Sequence, residues 1–277
     1  MLGFDVDIVN SVHFSNHTGY ENGFTGDVLS GDQLRSILDG LEKNGLLSTV
    51  GHLLTGYIGS ESFLSAVIDV IRTTRKYSDQ LRYICDPVLG DEGKFYVPES
   101  LVQVYIDTVI PEADVITPNQ FEVEKLTGVQ VNSIATARQA CQRLHDIGPS
   151  LVCITSLLLP DESTSSSSSP SQKMCMIASQ RCKNDDGKED SVWKIDFPML
   201  PGQFTGTGDL CAALLLAHTA SSPLPEAIEK VANTMHAVLC RTNNECVGNS
   251  VLSRELKLVQ SKRDIENPPN NLKAVKL

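Results

Sequence analysis

A chain of 277 residues is long enough to bury a substantial core as one large α/β domain. Its 34 acidic against 23 basic residues leave a net charge of −11, which argues against nucleic-acid and anionic-membrane partners and leaves phosphate binding to backbone amides and metal. No apolar stretch approaches the roughly 20 residues of a membrane span, and the eight cysteines, with no Cys-x-x-Cys pair, read as reduced core residues of a cytoplasmic protein.

Taken in chain order, strand and helix signals alternate. Strands are predicted at Asp5 to Asn10, His52 to Tyr57, Arg82 to Asp86, Asp114 to Thr117 and Leu151 to Thr155, each short, apolar or β-branched, and closed by polar or turn residues. Helices are predicted between them at Asp32 to Lys43, Glu61 to Lys76, Pro98 to Ile110, Gln120 to Leu126 and Ala135 to Ile147. Such alternation means βαβ units around a mostly parallel sheet, with any ligand at the carboxyl ends of the strands. Residues 161 to 172 are low-complexity and read as a mobile surface loop. Met174 to Ser179 and Val192 to Phe197 read as a hairpin pair joined by the charged loop 181 to 190, and helices follow at Leu210 to Thr219 and Pro225 to Arg241.

The residues with chemistry gather at the strand ends. Asp86 closes one strand and Asp91 stands in the loop behind it, a plausible neighbourhood for a divalent cation. Thr117-Pro118-Asn119 closes the next, with Asn119 and Glu122 three apart at a helix start, and Thr155-Ser156 closes the one after. Each taken singly reads more readily as a cap or turn residue.

Gln203 to Asp209 runs straight into the apolar segment from Leu210. Gly206 and Gly208 permit a sharp turn and close approach, and the free amides at the helix start favour a phosphate or a developing oxyanion. Asp209 is repelled by phosphate, so the role left to it is to accept a proton, unless it merely caps the helix. Together with the polar strand ends, this turn points to a nucleoside triphosphate and a divalent metal. A Walker A loop is excluded because Gly93-Lys94 precedes Phe95 and Gly187-Lys188 precedes Glu189. Cys211 stands where a dinucleotide fingerprint needs its last glycine.

These segments carry a resemblance. Asn10 to Tyr20, Leu54 to Tyr57, Cys85 to Asp91, Ile116 to Glu122, Gly206 to Asp209 and Gln260 to Pro268 are similar to the pyridoxal kinases of the ribokinase superfamily. The resemblance implies a single three-layer ribokinase-like domain over residues 1–277. It implies transfer of the ATP γ-phosphoryl group to the 5′-hydroxymethyl of pyridoxal, pyridoxine or pyridoxamine. Asp209 is then the base, with the amides of Gly206, Thr207 and Gly208 stabilising the transferring group. By the same resemblance Asp86 and Asp91 bind ATP-linked Mg²⁺, Glu122 and Asn119 arrange the metal's water and the phosphates, and Thr117 and Thr155 are ligands of a monovalent cation, K⁺ or Na⁺. Thr155 and Ser156 also touch nucleotide, Leu200, Pro201 and Gly202 lie near the adenine, and His17, Thr18 and Tyr57 surround the pyridine ring. A homodimer is the family's habit.

Two alternatives stay open: a related kinase of a hydroxymethylpyrimidine or a sugar, and a non-catalytic form that binds a partner. The family's pattern has a further strand and glycine-bearing loop ahead of the residues corresponding to Met1-Leu2-Gly3-Phe4. Without that strand the expectation is exposed ladder groups, exposed apolar helix faces, and impaired folding or activity.

Overall fold

The computed structural model describes residues 2–159, 173–182, 190–246, 248 and 250–277. The serine-rich stretch 161–172 and most of the loop expected over 181–190 lie outside the described residues.

The first strand stands later than predicted. Residues 5–10 belong to no strand, with Val6 72% and Ile8 77% exposed. Their alternation is that of a strand, yet a strand exists only where a neighbour completes the ladder. Pairing begins at β1 (Val12–Phe14), antiparallel to β2 (Gly26–Val28). Helix α1 (Gly31–Lys43) then starts at a capping box in which Ser30 Oγ accepts from Gln33 N while Gln33 Oε1 accepts from Ser30 N.

From there the chain alternates as expected: β3 (His52–Thr55), α2 (Glu61–Tyr77) and β4 (Arg82–Cys85), followed by a small hairpin of β5 (Gly90–Asp91) and β6 (Lys94–Phe95). The helix predicted from Pro98 is α-helical only at α3 (Leu101–Val104) and continues as a π-helical turn at Tyr105–Val109 and a 3₁₀ turn at Ile110–Glu112. Wider winding there lets Tyr105, Val109 and Ile110 all reach the core. Next come β7 (Val115–Ile116), α4 (Gln120–Thr127), α5 (Ile134–Ile147) and β8 (Leu151–Leu158). The expected hairpin is β9 (Lys173–Gln180) with β10 (Ser191–Pro198), antiparallel along their whole length. The chain ends with α6 (Thr207–Thr219), α7 (Leu224–Glu245), α8 (Lys262–Glu266) and β11 (Val275–Lys276).

Seven strands form one sheet in the order β11-β10-β9-β8-β7-β4-β3. Neighbours from β3 to β8 run parallel, and β9, β10 and β11 are added antiparallel, so β3 is an edge strand. Successive side chains of a strand leave opposite faces. Tyr83, Cys85, Ile116 and Val152 accordingly enter the core shared with α2, α4 and α5, while Ile84, Val115, Leu151 and Cys153 enter the one shared with α6 and α7. Helix, sheet and helix thus make three layers, and the parallel strands deliver their carboxyl ends to one rim.

Candidate active site

The rim is assembled from backbone outward. Asp86 N donates to Thr55 O at 2.9 Å and Thr117 N to Cys85 O at 3.0 Å, so the residues following β4 and β7 are held in sheet register past the strand ends. Asp86 is buried there, and Thr117 Oγ1 donates to its Oδ1 at 3.0 Å. Its other oxygen, Oδ2, is buried with no partner and faces Gly208, where a Cβ would stand 3.5 Å away. Burial pushes the Asp86 carboxyl up to about 7; the Thr117 bond works against this and the charge of Asp209 adds to it.

Glu122 is the second buried acid. Its Oε2 accepts from Asn119 N at 2.8 Å while Asn119 Oδ1 accepts from Glu122 N at 2.9 Å, closing the capping box that starts α4. Its Oε1 accepts from Leu89 N at 3.0 Å and lies 3.5 Å from Gly90 N, and Asn119 Nδ2 donates to Gly90 O at 2.8 Å. Burial raises Glu122 to about 8 against the pull of the Asn119 amide. Both of its oxygens therefore serve main chain, and the pair ties the loop after β4 to α4.

Opposite them, α6 begins at Gly206, whose φ of 84° is the left-handed conformation glycine takes most readily. No described backbone or side-chain acceptor takes the amides of Gly206, Thr207, Gly208 or Asp209, leaving a cluster of donors at the positive end of the helix. Asp209 makes no capping bond. It is open to solvent on one side, yet the protein around it raises its carboxyl above the usual range, which makes it a stronger base than a helix start alone would. Its Oδ1 lies against Gly56, where a Cβ would stand 3.2 Å away.

Thr155 and Ser156 are not at a strand end, as the sequence reading had it. β8 runs on to Leu158, and the two residues sit in the register shift between Ile154 and Leu157. A bulge at that point re-aims both side chains within a continuing strand. Thr155 N donates to Pro118 O at 3.0 Å, joining the bulge to the loop after β7.

Known proteins similar to this chain show its family. A family model described as phosphomethylpyrimidine kinase matches residues 48–250. Pyridoxal kinase of Arabidopsis thaliana is 45% identical over 280 residues, covering 99% of this chain and 86% of its own length. The Homo sapiens pyridoxal kinase is 43% identical, covering 97% and 88%. The chain belongs to the pyridoxal kinase family. A solved pyridoxal kinase from Leishmania donovani, in complex with ADP and pyridoxamine, superposes with a TM-score of 0.89 at 29% identity, covering 100% of this chain and 90% of that one. The three-layer fold is therefore the ribokinase-like fold of that family.

The remaining predicted positions of this family member lie in the strand end and loops that follow. Tyr57 follows β3 directly after Gly56, packs partly on the core, and its carbonyl accepts from Ser11 Oγ at 2.6 Å. His17 and Thr18 lie in the turn between β1 and β2; Thr18 is exposed. Asp91 is in the β5–β6 hairpin, where its Oδ1 accepts from Glu92 N at 2.8 Å. Leu200, Pro201 and Gly202 lie in the loop between β10 and α6. No group of three or more His, Cys, Asp or Glu side chains able to hold a metal occurs among the described residues.

Three contacts escaped the sequence reading. Gly56 backs Asp209, Glu122 reaches Leu89, and Glu255 meets both Tyr20 and His17. Gly56 and Tyr20 lie inside the quoted segments. For Glu255 no local signal existed, since its partners are 235 residues away or more.

Proposed function

We propose that this chain transfers the γ-phosphoryl group of ATP to the 5′-hydroxymethyl of a vitamin B6 vitamer: pyridoxal, pyridoxine or pyridoxamine. The observation that carries the reading is Asp209 beside the free amides of the α6 start, with the unpartnered Asp86 Oδ2 facing Gly208 across the rim. Asp209 accepts the proton of the attacking hydroxyl, and the amides of Gly206, Thr207 and Gly208 neutralise charge on the transferring group. A loose phosphoryl-transfer transition state asks mainly for such positioning and neutralisation.

The acids suit a hard cation shared with the triphosphate better than an all-protein cage. Asp86 presents one free buried oxygen, and burial, with the Asp209 charge adding to it, raises its carboxyl. Asp86 is thus the residue that would hold Mg²⁺, with Asp91 near the polyphosphate and Glu122 and Asn119 setting the loop; the cation would neutralise phosphate charge. Thr117, whose hydroxyl bonds Asp86, and Thr155, whose hydroxyl lies 3.5 Å from Pro118 O, would offer oxygen donors to K⁺ or Na⁺. Ser156 and Leu200 to Gly202 border the nucleotide, and His17, Thr18 and Tyr57 the pyridine ring.

The matched family description favours a second reading, in which the acceptor is a hydroxymethylpyrimidine. Assaying the purified protein with Mg-ATP and K⁺ against pyridoxal, pyridoxine, pyridoxamine, hydroxymethylpyrimidine and ribose separates the two. Preference for a B6 vitamer is expected; preference for the pyrimidine overturns the first reading, and no turnover with any of them leaves a binding role. We further infer a cytoplasmic homodimer. All eight cysteines are free thiols, as suits a reducing compartment, and apolar Val6, Ile8 and Val28 remain on the surface. Light scattering tests the dimer. No helix among the described residues is long and apolar enough to cross a membrane.

A further inference from the structure

Three consecutive residues after α7 touch three different walls of the site. Arg254 Nη1 donates to Pro201 O at 3.3 Å, and its guanidinium fills the space where a Cβ on Gly202 would lie. Leu256 Cδ1 stands 3.8 Å from where a Cβ on Gly206 would be. Between them, Glu255 Oε1 accepts from Tyr20 Oη at 2.9 Å and lies 3.1 Å from His17 Nε2, within ion-pairing distance.

The other ring nitrogen of His17 is engaged within the turn itself. Gly19 N donates to His17 Nδ1 at 3.1 Å, which leaves Nε2 as the ring nitrogen beside Glu255. The His17 and Tyr20 rings lie 4.8 Å apart, so one carboxylate orients a packed pair. The other hydrogen bonds of this turn among the described residues are local: Asn16 Nδ2 to His17 O and Gly23 O, and Gly23 N to Tyr20 O. Glu255 is its long-range tie.

We propose that Glu255 is a positioning residue for the acceptor: it fixes the orientation of His17 and Tyr20 and, through Leu256, sets their distance from the Gly206 turn. The ligand class it serves is a flat heteroaromatic alcohol presented to Asp209. This deepens the functional reading above and rests on it for the identity of the acceptor, but the orientation of the turn is measurable without turnover.

The test compares Glu255→Ala and Glu255→Gln with the unmodified protein, in steady-state kinetics and in hydrogen exchange of the Gly19 amide. Gln keeps an acceptor oxygen and Ala does not. Expected for Ala is a KM for pyridoxal raised about tenfold, equivalent to one lost hydrogen bond, with KM for ATP within about twofold, unchanged thermal unfolding, and faster Gly19 exchange. Gln restores most of each. An unchanged pyridoxal KM in the Ala variant overturns the proposal, and so does a joint rise of both KM values with a lowered melting temperature, which marks a general brace. If the unmodified protein does not phosphorylate pyridoxal, the functional reading fails and exchange alone decides: faster Gly19 exchange in Ala but not in Gln upholds the tie, and equal exchange in all three removes it.

Discussion

Gly56 and Asp209 are packed so closely that a methyl group on residue 56 would stand 3.2 Å from the carboxylate Oδ1. The end of the edge strand β3 is therefore the wall against which the proposed base rests. Gly56→Ala is accommodated by moving either the strand end or the carboxylate. With reacting atoms displaced by a fraction of an ångström, kcat for pyridoxal phosphorylation falls about tenfold or more while KM for ATP holds. Full activity in a folded Gly56→Ala protein would show that the carboxylate's position there is unimportant.

Asp86 and Glu122 give a pH signature in protein freed of divalent cations. Ordinary carboxyls of these types titrate at about 3.9 and 4.3, whereas burial holds these two at about 7 and 8. Between those limits the native state binds more protons than the unfolded one, so their contribution makes stability fall as pH rises. Asp86→Asn removes one of the two. In chelator, the variant melts near the parent temperature at about pH 4 and progressively above it as pH rises to about 8.5. Adding Mg²⁺ at pH 8.5 raises the melting temperature of the parent and does much less for the variant. A variant equally destabilised at both pH values contradicts this.

Glu122 separates structural from chemical duty. Its two oxygens accept from Asn119 N on one side and Leu89 N on the other, and an amide offers only one acceptor oxygen. Glu122→Gln therefore costs about 1 kcal/mol in denaturant unfolding and Glu122→Ala about 2 to 3 kcal/mol, each with a raised KM for ATP as the loop after β4 loosens. Equal stability of parent and Ala variant would mean that the capping box and the Leu89 bond carry no load.

Much of this architecture is legible in the residues themselves because the signals are local. Ser30 and Gln33 mark the start of α1 within one turn of sequence, and the apolar runs of β4, β7 and β8 name the sheet. The glycine turn is equally readable, since the left-handed Gly206 and the apolar helix behind it are neighbours. What failed needed a partner or a contact distant in sequence. Residues 5–10 alternate as a strand does but lack a ladder, and the hairpin pairs β1–β2 and β5–β6 are too short to leave a periodic trace. The bulge that carries Thr155 and Ser156 exists only against β9, and the π-helical turn after α3 answers to the core under Tyr105. Glu122 read as an acid near a metal, and it is held by main chain on both sides because Leu89 folds back onto α4.

Asp209→Asn keeps the shape of the side chain and removes its basicity, and steady-state phosphorylation of pyridoxal with Mg-ATP and K⁺ reads the result. A positioned base contributes at least about a hundredfold, so kcat is expected to fall by that factor or more with KM for ATP little changed. An Asn variant that phosphorylates pyridoxal at the parent rate would contradict the assignment of Asp209 as the group that takes the proton.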